Sequence, residues 1–184
     1  MLAKPFFTAV CFLIFVLCVD EGVAVQATDN ETTVILVRHA ERADDDERDP
    51  SLTAAGEARG EALQQALSHA SLDAIYVTQF QRTSLTAAAT ADEHQITKQR
   101  VEVNHEDLSG HVSEMKRILH DEHPGETVLI VGHSNTIPEI VNALTGHSFE
   151  EIDRETYDRI FIVRLRAEDK SDLIELRYGA TSGD

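Results

Sequence analysis

Hydrophobic and polar residues follow two alternating rhythms along this chain. Thr33 to Val37 (TVILV) is a continuous apolar run rich in β-branched residues, the pattern of a strand buried on both faces. Thr53 to Leu67 then carries apolar or small residues at helical spacing behind a capping threonine. Ala74 to Thr78 predicts a second strand, Arg82 to His94 an alanine-rich second helix, and Val101 to Val103 a short third strand. Val112, Met115, Ile118 and Leu119 mark one face of a helix over Ser109 to His123, which Pro124-Gly125 ends. Thr127 to Val131 (TVLIV) is the strongest strand signal. It leads into a helix over Asn135 to Leu144, with Pro138 in its first turn and Gly146 beyond its end. Arg159 to Leu165 and Leu173 to Tyr178 alternate as strands do. Strands alternating with helices predict an α/β domain, a three-layer αβα sandwich around a mainly parallel sheet. No internal repeat or Pro-rich linker divides the chain, so one domain is expected over residues 28–184.

Residues 1–27 follow neither rhythm. Lys4 precedes an apolar run from Pro5 to Val19, broken only by Thr8. That run is shorter than the about 20 residues a membrane-spanning helix needs. Val25-Gln26-Ala27 supplies small residues at the −3 and −1 positions of a cleavage site, so a secretory signal peptide ending at Ala27 is expected. The mature protein would be secreted or periplasmic, with no lasting membrane association. Both cysteines, Cys11 and Cys18, fall in this leader. The mature chain then has no disulfide, thiol nucleophile or thiolate metal site. Asn30-Glu31-Thr32 is a glycosylation sequon if the host is eukaryotic.

Charge narrows the choice of partner. With 33 Asp+Glu against 16 Lys+Arg the net charge is −17, which disfavours nucleic acid and anionic lipid, both polyanions. A small anionic substrate in a local basic pocket is still compatible, and the strand ends supply one. In an open α/β sheet, ligands bind beyond the carboxyl ends of the strands. There the chain places Arg38-His39-Ala40-Glu41, Thr78 to Thr83 including Arg82, and Gly132-His133-Ser134-Asn135. Two arginines and two histidines at one sheet edge suit phosphoryl transfer. Neutral imidazole is a nucleophile near pH 7, and guanidinium forks bind phosphate oxygens. The acidic run Asp44 to Glu47 reads as a solvated loop.

Val37-Arg38-His39-Ala40-Glu41 resembles the signature of the histidine phosphatase superfamily, the phosphoglycerate mutase-like group. Asp49 to Gly56 (DPSLTAAG), Gln81-Arg82-Thr83 with Thr86-Ala87, and Val131 to Asn135 match the same pattern in order. The compact chain is similar to the short branch that includes small phosphohistidine phosphatases. The resemblance implies a phosphoglycerate mutase-like fold and hydrolysis of a phosphomonoester or phosphoprotein through a covalent phosphohistidine. It makes His39 the nucleophile and Arg38, Arg82 and His133 the phosphoryl-binding groups, with no metal or other cofactor. Glu41, Ser134 and Asn135 are further pocket candidates. The resemblance also implies an acidic proton donor between the second arginine and second histidine. Glu102, Glu106 and Asp107 lie in that interval, and Glu106 is preferred because it follows the third strand.

Other readings compete for the same residues. A phosphomutase or a catalytically inactive phospho-ligand-binding domain would share the fold. Ser134 sits where a nucleophile elbow would, but Thr136 replaces the second glycine of that motif and His147 precedes Asp153. The pairs His120/His123 and His105/His111 match no familiar metal motif with a third ligand.

Overall fold

The computed structural model describes residues 31–104, 106–166 and 171–183. The expected signal peptide, the Asn30 sequon residue and His105 lie outside the described residues. The elements in chain order are β1 (Thr32–Arg38), α1 (Ala54–Leu67), β2 (Ala74–Val77), α2 (Gln81–Thr86), α3 (Ala88–His94) and β3 (Gln99–Arg100). They continue with α4 (Leu108–Asp121), β4 (Thr127–Gly132), α5 (Thr136–Thr145), β5 (Arg159–Leu165) and β6 (Ser171–Arg177). The six strands form one sheet in the order β3-β2-β4-β1-β5-β6. β1, β2, β3 and β4 pair in parallel, β5 runs antiparallel to β1, and β6 antiparallel to β5. Only residues 166–170 join β5 to β6, too few for the crossover that a parallel pair requires.

Alternation along the buried strands sends side chains to two separate cores. Val34 and Leu36 of β1, with Tyr76, Val128 and Ile130, pack under Met115, Ile118 and Leu119 of α4 and Ile137, Ile140 and Val141 of α5. Ile35 and Val37, with Ile75, Leu129 and Val131, face Leu63 and Leu67 of α1 and Ala87 and Ala91 beside α3. The αβα sandwich follows from this two-residue period meeting helical stripes on both sides. Among the described residues no helix is long and apolar enough to cross a membrane.

Two elements depart from the expected pattern. The helix predicted over Arg82 to His94 is divided at Ala87 into α2 and α3. Thr86 Oγ1 donates to the Arg82 carbonyl at 2.7 Å and accepts from the Ala40 amide at 2.8 Å. This back-bonding competes with regular helical geometry and ties α2 to the residue after His39. The third strand lies at Gln99–Arg100, not Val101 to Val103. Val101 still donates to the Val77 carbonyl at 2.9 Å. Beyond it, the Gln79 side chain bonds both the amide and the carbonyl of Val103, so a side-chain amide takes the place of the strand ladder.

Candidate active site

Register assembles the site. Arg38 of β1 pairs with Gly132 of β4, and Val77 of β2 with Val131. His39, Thr78 and His133 therefore emerge side by side at the carboxyl edge, and the His39 amide donates to the Gly132 carbonyl at 2.9 Å. His39 and His133 are 5 % and 4 % exposed. Their rings meet edge to face with centroids 5.4 Å apart. His39 Nδ1 lies 2.8 Å from the Ala40 carbonyl. A carbonyl can only accept, so Nδ1 carries the proton and Nε2 keeps its lone pair. Burial is the main cause that lowers the His39 pKa, to about 3. The charges of Arg38, Arg82 and Arg42 push the same way against the Ala40 bond. The imidazole is thus neutral across the physiological range.

Each arginine is fixed on one side and open on another. Arg38 Nη1 donates to the carbonyls of Asp153, Arg154 and Thr156 at 2.8, 3.0 and 2.9 Å. Its guanidinium lies over the Tyr157 ring at 4.0 Å. The Arg82 guanidinium lies over Phe80 at 4.2 Å, and its Nη2 is 3.4 Å from His133 Nδ1. Arg82 Nη1 is 3.8 Å from the Asp49 carboxylate. Arg38 Nε and Arg82 Nε and Nη1 are buried without a hydrogen-bond partner among the described residues. Burying donors without partners is unfavourable unless a ligand completes them. His133 Nε2 is 3.0 Å from Thr78 Oγ1, which is itself 3.2 Å from Thr83 Oγ1. This chain of hydroxyls orients the second imidazole from below.

The remaining candidates have other partners. Glu41 receives Arg59 Nε and Nη2, and Arg59 Nη1 donates to the Tyr178 carbonyl. Burial alone would raise the Glu41 pKa, but the Arg59 hydrogen bonds outweigh it and hold the carboxyl below its usual range. Ser134 Oγ donates to Glu151 at 2.8 Å. Asn135 precedes α5 without making a side-chain cap. Glu106 is exposed on the turn before α4, where its amide donates to Asn104 Oδ1. Asp107 caps α4 through the Gly110 amide, and Glu102 pairs with Arg100 at 3.4 Å. None of these three carboxylates is hydrogen-bonded or ion-paired to the four pocket residues. The carboxylates whose charge acts on the pocket arginines are Glu151 and Glu155, near Arg38, and Asp49, near Arg82.

The loop between α5 and β5 is a wall that the sequence reading missed. It is fastened at Ile152, whose amide donates to the Ser134 carbonyl at 3.0 Å, and at Tyr157, whose amide donates to Ser182 Oγ at 2.8 Å. Its residues have no periodicity and match no part of the motif pattern. The one available signal was Tyr157 itself, an aromatic in a polar segment. Among the described residues no group of three or more His, Asp or Glu side chains is placed to hold a metal ion. His123, one of the histidines considered for a metal, instead bonds Tyr76 Oη and Glu126 at 2.8 and 2.7 Å.

Residues 34–117 match the family described as histidine phosphatase superfamily (branch 1). No curated protein sequence matches the chain. Among solved structures, the protein histidine phosphatase SixA complexed with tungstate is 18% identical, with a TM-score of 0.63, covering 79% of this chain and 96% of that one. The alpha-ribazole phosphatase from Shigella flexneri is 16% identical, with a TM-score of 0.63 and the same two coverages. The mycobacterial glucosyl-3-phosphoglycerate phosphatase is 10% identical, with a TM-score of 0.65, covering 81% of this chain and 100% of that one. Residues 34–117, which include Arg38, His39 and Arg82, are thus similar to the histidine phosphatase superfamily, and the chain shares the fold of these solved phosphatases.

Proposed function

We propose that this protein is a phosphohydrolase in which His39 Nε2 attacks phosphorus and carries a transient phosphoryl group. One observation carries the reading: a neutral, buried imidazole with a fixed Nδ1 proton faces two arginines whose buried Nε atoms lack hydrogen-bond partners. Attack forms the N–P bond as the P–O bond of the ester breaks, and the leaving oxygen takes a proton from solvent water. Positive charge arising on the phosphorylated ring is stabilised through Nδ1–H and the Ala40 carbonyl. Water then attacks phosphorus, the N–P bond breaks, and inorganic phosphate leaves with His39 neutral again. Arg38 and Arg82 supply fixed positive charge for the equatorial oxygens, the part a metal plays elsewhere. The reaction is therefore read as metal-independent. The substrate is a small phosphorylated molecule or a phosphoprotein, and the leader expected in residues 1–27 would deliver the enzyme outside the cytoplasm.

Rapid quenching during turnover should trap an acid-labile, alkali-stable phosphoryl adduct on His39, and His39→Ala should lose both adduct and turnover. Activity should survive dialysis against EDTA and be inhibited by vanadate. Undiminished hydrolysis by His39→Ala would overturn the mechanism. Loss on EDTA treatment with recovery on zinc or magnesium would overturn metal independence.

A further inference from the structure

Asp158 is a carboxylate with no part in the phosphoryl chemistry, yet it is only 1 % exposed. Burying a charge is costly unless it is paired and hydrogen-bonded. Arg177 Nη1, at the end of β6, donates to both carboxylate oxygens at 3.1 and 3.0 Å, and the Ser182 amide donates to Oδ2 at 3.3 Å. Burial alone would raise the Asp158 pKa, but these bonds outweigh it and hold the carboxyl below its usual range. A buried pair adds little net stability over apolar packing, so geometry is the better account of this one.

The geometry leads to Arg38. Its Nη1 is taken by the carbonyls of Asp153, Arg154 and Thr156, and its guanidinium face by Tyr157. Its Nε is buried without a partner among the described residues. A planar guanidinium held by one nitrogen and one face keeps its remaining N–H groups in a fixed direction. The wall that holds Arg38 is in turn held by the segment after β6. The Tyr157 amide donates to Ser182 Oγ at 2.8 Å, and the Tyr178 amide donates to the Asp158 carbonyl at 2.9 Å. Gly183 comes so close to the wall that a Cβ there would collide with Thr156 Oγ1. Asp158 and Ser182 thus stand behind Arg38, one layer back from the site.

We propose that Asp158, clamped by Arg177 and Ser182, is a positioning residue: it fixes the wall whose carbonyls aim Arg38 at the phosphoryl group. This rests on the phosphohydrolase reading and adds to it a part for the segment after β6. The test measures Kd for inorganic phosphate by titration calorimetry on the whole protein. Ser182→Ala should weaken phosphate about three- to tenfold, and Asp158→Ala about ten- to a hundredfold, the scale of a slightly misplaced binding group. Arg177→Lys, which keeps the charge, should lose less affinity than Arg177→Met. In an Arg38→Ala background Ser182→Ala should have no further effect, because the two residues act through one chain of contacts. Leu119→Ala, destabilised in the core under α4, should keep the wild-type Kd. Wild-type affinity in Ser182→Ala would overturn the proposal, even where Asp158→Ala fails to fold. So would an equal loss from Ser182→Ala with and without Arg38, or a matching loss in Leu119→Ala, since the effect would then follow stability alone. Failure of the underlying reading looks different: the wild type does not bind phosphate and His39→Ala still turns over p-nitrophenyl phosphate.

Discussion

His39 shows how a buried histidine at the candidate site opposes stability. Its folded pKa is about 3, against 6.5 in an unfolded chain, because burial and three arginine charges disfavour the imidazolium. Between those values the unfolded chain binds the extra proton, so this group makes stability rise with pH from about 3 to 6.5 and level off above. At pH 5 the loss relative to pH 7.5 is about 2 kcal/mol, from about 1.4 kcal/mol for each pH unit below 6.5. Urea denaturation of His39→Asn, which has no such titration, should show a fall between pH 7.5 and 5 smaller than the wild-type fall by about that amount. Equal falls for the two proteins would mean that His39 is not held neutral. At this scale Arg38, His39, Arg82 and His133 were legible because each sits beside a strand end or opens a helix in a motif. Glu41 was less so. It lies two positions after His39, but its partner is Arg59, 18 positions on and brought close only by α1 packing.

Elements set the site by close approach, and two glycines mark where. Thr53 caps α1 by accepting from the Gly56 amide at 3.1 Å, and the Thr53 amide donates to the Glu41 carbonyl at 2.9 Å. A Cβ on Gly56 would collide with that same carbonyl. Gly132 likewise leaves room for Thr136 Oγ1, which accepts from the His133 amide at 2.9 Å. Gly56→Ala should therefore destabilise by about 1–3 kcal/mol, as overpacking does, and lower kcat/KM by shifting the segment that holds His39. Denaturation and steady-state kinetics on the same variant test both effects. Unchanged kcat/KM would show that α1 does not position His39. Strong local patterns fixed the element types well. The break at Ala87 did not show in sequence, because it comes from Thr86 bonding Ala40, 46 positions away. The wall carrying Tyr157 was hidden for a similar reason. Its conformation is imposed by Arg38 and Ser134, and nothing local encodes it.

Across the whole molecule, burial falls off toward both edges of the sheet. β1 and β4 are covered on both faces, whereas β6 ends the sheet with Ile174 and Leu176 exposed. The sequence pattern separates the continuous runs of β1 and β4 from the alternating β5 and β6, but alternation gives β5 and β6 a period and not a position in the sheet. Strand order comes from pairing: β5 returns antiparallel along β1, and the short connection then forces β6 outside it. Two apolar residues in neighbouring strands are therefore expected to differ greatly in energetic weight. Phe161 of β5 is fully buried between Phe149 and the core under α5, and Leu176 of β6 is half exposed. Truncating Phe161 removes both transfer energy and packing, so Phe161→Ala should cost about 3–5 kcal/mol. Leu176→Ala loses little contact and should stay within about 0.5 kcal/mol of the wild type. Urea midpoints at constant m-value read both changes. A large loss at Leu176 would mean that the outer face of β6 is covered in solution, and it should then depend on protein concentration if a second copy provides the cover.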